Sequence, residues 1–190
     1  AVLIKRAKED GIPVTAETVV HYVTLDDSAT EGYNTNAKMS MPLRSKADVE
    51  GLLRAVEEGV IDALATDHAP HEADSKNVEF DKASFGIIGL QTAVPLLLAQ
   101  VRERKLSLKR LIEALTVSPA RCLNLAPNSV VAGKKADLTI IDPERKMRFT
   151  EDKVLSKSKN SPFLGAELQG FAVKTIVGGR QVFDISELSD

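Results

Sequence analysis

The sequence contains one cysteine, no tryptophan, two tyrosines and six phenylalanines among its 190 residues. A lone thiol, Cys122, rules out an internal disulfide framework, and a reducing compartment is compatible with that. Cys122 falls in Arg121-Cys122-Leu123, on a predicted helix, and reads as a small hydrophobe rather than a nucleophile. Charge of neither sign dominates: 25 Lys and Arg stand against 27 Asp and Glu, for a formal net charge of −2. With no basic stripe and few aromatics to stack on bases, no nucleic acid and no membrane surface is expected as a partner. The apolar runs are too short to span a bilayer, and no signal peptide is legible. The expected location is therefore cytoplasmic. What is present is ordinary for a globular protein, 43% apolar and 27% charged residues. The length suits one domain, or one and a fraction.

Ala1-Val2-Leu3-Ile4-Lys5-Arg6-Ala7-Lys8 opens in mid-pattern, already helical in period, without a cap. It reads as a cut through a larger protein. Gly11 and Pro13 stop that helix. Ile12 to His21, rich in β-branched residues, predicts a strand, and a polar loop follows from Asp26 to Asn36. Ser45-Lys46-Ala47-Asp48 resembles a capping box for a helix that buries Val49, Leu52, Leu53 and Val56. Gly59 ends it, and Val60 to Thr66 predicts the next strand. Helix, strand, helix, strand argues for β/α units on a parallel sheet. Ala83 to Gln100 predicts a long apolar helical region containing Pro95. Ser107 starts another helix with Leu108, Leu111, Ile112 and Leu115 facing inward, and Ser118-Pro119 looks like a further start. Near Leu125 the pattern changes. Ala136 to Ile141 and Lys174 to Val177 alternate as strands do, and Gly178-Gly179 marks a two-residue hairpin leading to Gln181–Phe183.

The most informative stretch is Leu64-Ala65-Thr66-Asp67-His68-Ala69-Pro70-His71. An apolar run ends abruptly in a carboxylate and two imidazoles. The carboxyl end of a parallel strand is where barrel and open-sheet enzymes place their chemistry. Asp and His are also ligand types that a divalent metal uses. The residues alone make this a candidate metal or acid–base site and name no reaction.

The order of motifs along the chain resembles the cyclic amidohydrolases, and most closely the dihydroorotases of the longer, microbial type. Thr15 to Tyr22 resembles the family's strand-seven segment, and Lys38-Met39-Ser40-Met41-Pro42-Leu43-Arg44 its Asn-Pro-Pro-Leu-Arg loop. Ala65 to His71 resembles the strand-eight signature without change, and Phe85-Gly86 a pair that follows it. Ser118-Pro119-Ala120-Arg121, Gly133 to Leu138, Ser161-Pro162-Phe163 with Gly165, and Val177-Gly178-Gly179 resemble the closing helix and an appended β-sandwich. The resemblance implies an α/β chain: the last two β/α units of a (β/α)8 barrel over residues 1–125, then a small β-sandwich segment over 126–190. It implies a zinc-bound hydroxide attacking a cyclic amide carbonyl, with dihydroorotate and N-carbamoyl-L-aspartate interconverted in pyrimidine biosynthesis. Asp67 would be both a metal ligand and the proton carrier. His71, Ser40 and the backbone of Phe85 and Gly86 would contact substrate.

This sequence departs from the pattern in three ways. Ser40 stands where the family has asparagine, Met41 replaces the first proline of its loop, and Val19-Val20 is less polar than the usual segment. The family's remaining metal ligands sit on strands one, four, five and six, which have no counterpart here. His21, His68 and His71 are not at ligand positions. The expected partners are therefore the missing amino-terminal half of the barrel and a small-molecule substrate, with a homo-oligomer or another pyrimidine-pathway enzyme beside them.

Plainer readings stand beside these. Asp67 as a strand-end cap, His71 as a solvated loop residue, and His68 and His21 as structural side chains are all compatible with the residues alone. Arg44 suits an anionic substrate or an exposed helix start equally. Lys134-Lys135 and Lys157 to Lys159 read as solvated charge. Two rival functions remain: a hydantoinase or allantoinase-type hydrolase, and a non-catalytic dihydroorotase-like structural partner. In isolation, unpaired strand edges are expected to make the chain unstable.

Overall fold

A computed structural model describes residues 1–188. The first helix, α1 (Val2–Glu9), ends at Gly11, whose φ of +75° suits a residue without a Cβ. Strand β1 (Glu17–Val19) then pairs in parallel with β2 (Ala63–Ala65), and helix α2 (Lys46–Glu57) makes the crossover between them. That is the β/α order predicted. Ser45 caps α2: its Oγ accepts the Asp48 amide at 3.4 Å and donates to the Asp48 carboxylate at 2.7 Å. Leu53, Ala55 and Val56 are the buried face of this helix.

Both predicted strands are shorter than expected. Instead of Ile12–His21 and Val60–Thr66, only three residues of each pair, and Val20–Val23 turns into a 3₁₀ helix. Pairing with one neighbour alone holds just that stretch, and the carbonyls on either side need other donors. Arg110 supplies several. Its Nε donates to the Val56 carbonyl at 2.6 Å, and its Nη2 donates to the carbonyls of Ile61 and Asp62. Asp62 in turn accepts from Lys8 Nζ at 2.7 Å and from the Ala16 amide at 2.8 Å, tying α1 to both strands.

After a short helix, α3 (Ala73–Lys76), comes α4 (Ala93–Arg102). The helix predicted from Ala83 begins ten residues later. Gly86 adopts φ +103°, and a Cβ at Gly89 would lie 2.7 Å from the Thr66 carbonyl oxygen, so Ala83–Thr92 runs as irregular backbone. Pro95 falls in the first turn of α4, where no intrahelical donor is lost. Helix α5 (Leu108–Leu115) is capped by Ser107 Oγ, as expected. Its face is only half buried: Leu111 is in the core, whereas Leu108 and Ile112 are 53% and 46% exposed. Helix α6 (Val117–Cys122) starts after Thr116 rather than at Ser118, and Cys122 is half-buried at its end.

The rest is one antiparallel sheet of β3 (Leu138–Arg148), β4 (Glu167–Val177) and β5 (Arg180–Asp184), in the order β3-β4-β5. Among the described residues this is a single layer, not the two packed sheets of a sandwich. Gly178 and Gly179 both have positive φ and close the β4–β5 hairpin as predicted. Pro143 sits in β3, an edge strand, where the register shifts between Asp142 and Lys146. Asp142 Oδ1 accepts the amides of Glu144 and Arg145 there. Sheet and helices share one continuous core, from Val23, Val56 and Leu97 to Phe149 and Phe171. No helix among the described residues is long and apolar enough to cross a membrane.

The contact between α4 and β4 depends on Gly170, which has φ +92° and would place a Cβ 2.5 Å from Leu98 Cδ1. Gly170→Ala is expected to cost about 1–3 kcal/mol, from the left-handed backbone and the overlap together, measured by denaturant unfolding of a protein containing this segment. A second expectation concerns Asp184. Hydrogen bonds from Ser186 come first, then Lys174, and together they hold its carboxyl down to about 2. A depressed carboxylate contributes stability that is present above its ordinary value of 3.8 and lost as pH falls toward about 2. The stability difference between wild type and Asp184→Asn is therefore expected to shrink over that interval; a difference that stays constant with pH would contradict this.

Candidate active site

Asp67 lies two residues past β2, at its carboxyl end, in the left-handed region with φ +47°. Aspartate tolerates that conformation better than most residues, and strained backbone of this kind clusters at functional sites. Its side chain is exposed. Two titratable groups that feel its charge, His21 and Tyr22, lie in the turn just past β1. Burial pulls His21 below its ordinary pKa, against the opposing charge of Asp67. Burial and then the Asp67 charge push the Tyr22 hydroxyl up. His21 is 2% exposed, and its Nε2 has no hydrogen-bond partner among the described residues. Its ring centroid is 4.4 Å from that of Tyr22.

From this pair the predicted pieces connect in sequence. Tyr22 Oη donates to the Met41 carbonyl at 2.7 Å, next to exposed Ser40. The same loop begins at Lys38, whose carbonyl accepts the Gly86 amide at 2.9 Å. Phe85 stands half-exposed beside it, and its carbonyl accepts from His71 Nε2 at 2.8 Å. That bond makes Nε2 a donor and leaves Nδ1 uncommitted to it. His68 is structural, as the plainer reading held: its Nδ1 accepts the Gly89 and Leu90 amides at 3.1 and 3.4 Å. His68 also forms a parallel bridge with Ile87, extending the β2 direction into the next segment. Arg44 is exposed, 3.9 Å from Asp48, which favours the helix-start reading.

Three contributors were not anticipated. Lys38 is buried; its Nζ donates to the carbonyls of Asp81 and Ala83 at 2.8 and 2.7 Å and lies 4.4 Å from the Phe85 ring centroid. Lys76 is also buried, donating to the carbonyls of Ser84 and Gly86 at 2.8 and 3.1 Å. Asn160 reaches in from the segment between β3 and β4 and bonds to both site loops. Lys38 opens one motif that the sequence singles out and Asn160 adjoins another, a signal that position could have raised. Lys76 carries no such signal. Lys159, expected to be solvated, instead donates to the Val154 carbonyl at 2.6 Å because its segment folds back over the helices.

Two cavities border these loops. A polar cleft of about 460 Å³ is lined by His71, Lys76, Glu151, Lys159 and Asn160 among others. A more apolar one of about 440 Å³ lies between α4 and the sheet, touching His68 but none of Asp67, His71, Phe85, Gly86 or Ser40. Among the described residues no three His, Cys, Asp or Glu side chains gather as a metal site would require. Asp67 offers one ligand where a catalytic zinc needs three from protein, so these residues do not by themselves fit the ion.

A parallel strand pair joined by a crossover helix, with an acidic residue at its carboxyl end, defines an α/β chain. Residues 1–182 match the amidohydrolase family, and the chain belongs to it. It is similar to the dihydroorotase of Trichlorobacter lovleyi, 49% identical over 181 residues that make up 95% of this chain and 43% of that protein. The dihydroorotase of Endomicrobium trichonymphae is 46% identical over 185 residues, 96% of this chain and 44% of that one. Among solved structures, the L-hydantoinase of Arthrobacter aurescens superposes with a TM-score of 0.89 at 31% identity, over 96% of this chain and 42% of that chain. A D-hydantoinase from Thermus sp. does so with a TM-score of 0.85 at 25% identity, over 95% of this chain and 42% of that chain. The chain thus spans less than half the length of the relatives it matches.

Gly86 is the tightest point of the site. A Cβ there would meet Ala69 Cβ at 2.7 Å, on backbone with φ +103°. Gly86→Ala is expected to lower stability by about 2–4 kcal/mol in denaturant unfolding. Adding Ala69→Gly should recover only the steric share, and full recovery would show that the backbone conformation carries no cost.

Proposed function

We propose that this chain is the carboxyl-terminal portion of a dihydroorotase. Residues 1–125 supply the last two β/α units of a (β/α)8 barrel, and 126–190 belong to a composite β-sandwich segment. The reaction is the reversible closure of N-carbamoyl-L-aspartate to dihydroorotate, a step of pyrimidine biosynthesis in the cytoplasm. The observation that carries this reading is the placement of Asp67. It stands at the carboxyl end of β2 in a left-handed turn, within electrostatic reach of His21 and Tyr22 just past β1; Tyr22 bonds to the Met41 carbonyl beside Ser40, the Lys38 carbonyl of the same loop accepts the Gly86 amide, and the Phe85 carbonyl accepts from His71.

In the hydrolytic direction Asp67 takes the proton from the attacking water and delivers it to the ring nitrogen as the amide bond breaks. A carboxylate within hydrogen-bond reach suits both halves of that transfer. Zinc, if bound in a complete enzyme, would supply carbonyl polarisation and a more acidic water. Asp67 would be the contribution of this chain to holding it, and further ligands would have to come from other residues. His71 and Ser40 meet the polar groups of the substrate, while the backbone of Phe85 and Gly86 lines it. The amino-terminal part of the barrel is the obligatory partner, within one polypeptide or beside it.

A hydantoinase reading has one specific point in its favour, the serine at position 40 where the dihydroorotase pattern has asparagine. Serine offers a shorter side chain with a single hydroxyl in place of an amide that donates and accepts at separate atoms. Turnover of dihydroorotate, hydantoin and allantoin by the full-length enzyme separates the two. Dihydroorotate is the expected substrate, and activity on hydantoin alone would end the dihydroorotase assignment. Asp67→Asn is expected to lower kcat by about 10²–10⁴-fold with the fold intact, because the amide cannot accept the proton. Retention of wild-type kcat in that variant would remove Asp67 from the mechanism.

A further inference from the structure

The polar groups of two buried lysines and one buried asparagine, none of them assigned a role above, converge on the segment from Asp81 to Ile88, which carries Phe85 and Gly86. Four carbonyls of that segment, those of Asp81, Ala83, Ser84 and Gly86, accept hydrogen bonds from just two ammonium groups, Lys38 and Lys76. Asn160 adds a second donor to the Gly86 carbonyl at 3.2 Å and donates to the Ala69 carbonyl at 2.9 Å. Its Oδ1 accepts the His71 amide at 3.0 Å, and its own carbonyl accepts the Ile88 amide at 3.0 Å. One side chain therefore grips the loop after β2 and the Phe85–Gly86 segment at once. Lys76 is 4% exposed and Asn160 6% exposed.

We propose that Lys76 and Asn160 are positioning residues for substrate binding: they clamp the Phe85–Gly86 backbone and the His71 main chain into one arrangement before substrate arrives. This rests on the assignment of His71, Phe85 and Gly86 to substrate contact made above. An ammonium group is a costly filler for a buried site, and a methionine of similar length would pack without that cost. The cost is compounded here, because burial and then the charge of Lys38 lower the Lys76 pKa to about 8. What the cation supplies in return is two carbonyl bonds that no apolar side chain makes. Order established in the free enzyme need not be established on binding, so it appears in affinity for substrate. Neither residue hydrogen-bonds to Asp67, which leaves the proton transfer untouched.

The test uses the full-length enzyme containing this segment, as wild type and as Lys76→Met, Lys76→Arg and Asn160→Ala. Lys76→Met and Asn160→Ala are each expected to raise KM about 10-fold, equal to about 1.4 kcal/mol, while kcat stays within about 3-fold of wild type. Lys76→Arg, which keeps the charge and the donors, is expected to restore KM to within about 3-fold of wild type. Hydrogen exchange read by mass spectrometry supplies the measurement that needs no substrate. Residues 67–72 and 84–90 should exchange faster in Lys76→Met and Asn160→Ala, with the rest of the chain unchanged. Exchange that is unaltered there, or faster everywhere, overturns the clamp, as does a fall in kcat at constant KM. Should Lys76→Met fail to fold, Asn160→Ala carries both measurements alone. If the wild type turns over none of the cyclic amides, the proposed function fails while the exchange data still decide the clamp.

Discussion

Buried backbone that lies outside regular ladders must find hydrogen-bond partners, and this requirement organises the molecule. The parallel strands β1 and β2 are three residues each, so most carbonyls around them have no strand to pair with. Side-chain cations and one amide take up that role. Arg110 serves the carbonyls of Val56, Ile61 and Asp62 at the junction of α2 and β2. Lys38, Lys76 and Asn160 serve the irregular stretch from Ala69 to Gly86 on the opposite, carboxyl-end side. An unmet buried carbonyl costs about 1–3 kcal/mol, so a handful of them is comparable with the stability of a whole domain. The same bonds that make irregular backbone tolerable also hold it in one conformation, which is what a binding loop requires.

The parts of the fold legible in the sequence are those decided within a few residues. Ser45 and Ser107 cap helices because a hydroxyl three residues ahead of an amide needs no tertiary help. Gly178-Gly179 closes a hairpin because both positions need positive φ. Strand lengths were not legible, since they depend on which neighbour is present to pair. The start of α4 was misplaced by ten residues because Ala83 to Thr92 is apolar for burial, not for helical period, and its path is dictated by the Thr66 and Ala69 atoms pressed against Gly89 and Gly86. Leu108 and Ile112 follow the helical pattern of an inward face, yet the described chain covers only about half of each. Periodicity records that a face is meant to be covered and says nothing of what covers it.

The candidate site divides along the same line. Asp67, His71, Phe85, Gly86 and Ser40 could be named from a motif, and the structure links the loops that bear them through hydrogen bonds donated by Tyr22, His71 and the Gly86 amide, the last to the Lys38 carbonyl. Asn160 is distant in sequence from what it holds, 89 residues from His71, and its effect is visible only once the sheet segment has folded back over the helices. Lys76 is within ten residues of the Ser84 and Gly86 carbonyls, but no local pattern marks a lysine there as buried. His71 shows how structure refines a motif: with Nε2 committed to the Phe85 carbonyl, only Nδ1 remains for a ligand.

With Ser40 proposed as a substrate contact, the question of specificity falls on a small part of this chain. The loop around Ser40 is anchored by buried Met39 and Leu43, by the Tyr22 bond to the Met41 carbonyl, and by the Gly86 amide on the Lys38 carbonyl. None of these anchors uses the side chain at position 41, which is 69% exposed. Methionine in place of proline there leaves the bonds that set the loop's course intact. The change from asparagine to serine at position 40 acts on a backbone already held in place. It therefore alters what the loop can donate and accept, and leaves where the loop runs unchanged. Any difference in specificity from the dihydroorotase pattern is on this ground a matter of one hydroxyl against one amide, a substitution of hydrogen-bonding capacity within a fixed frame.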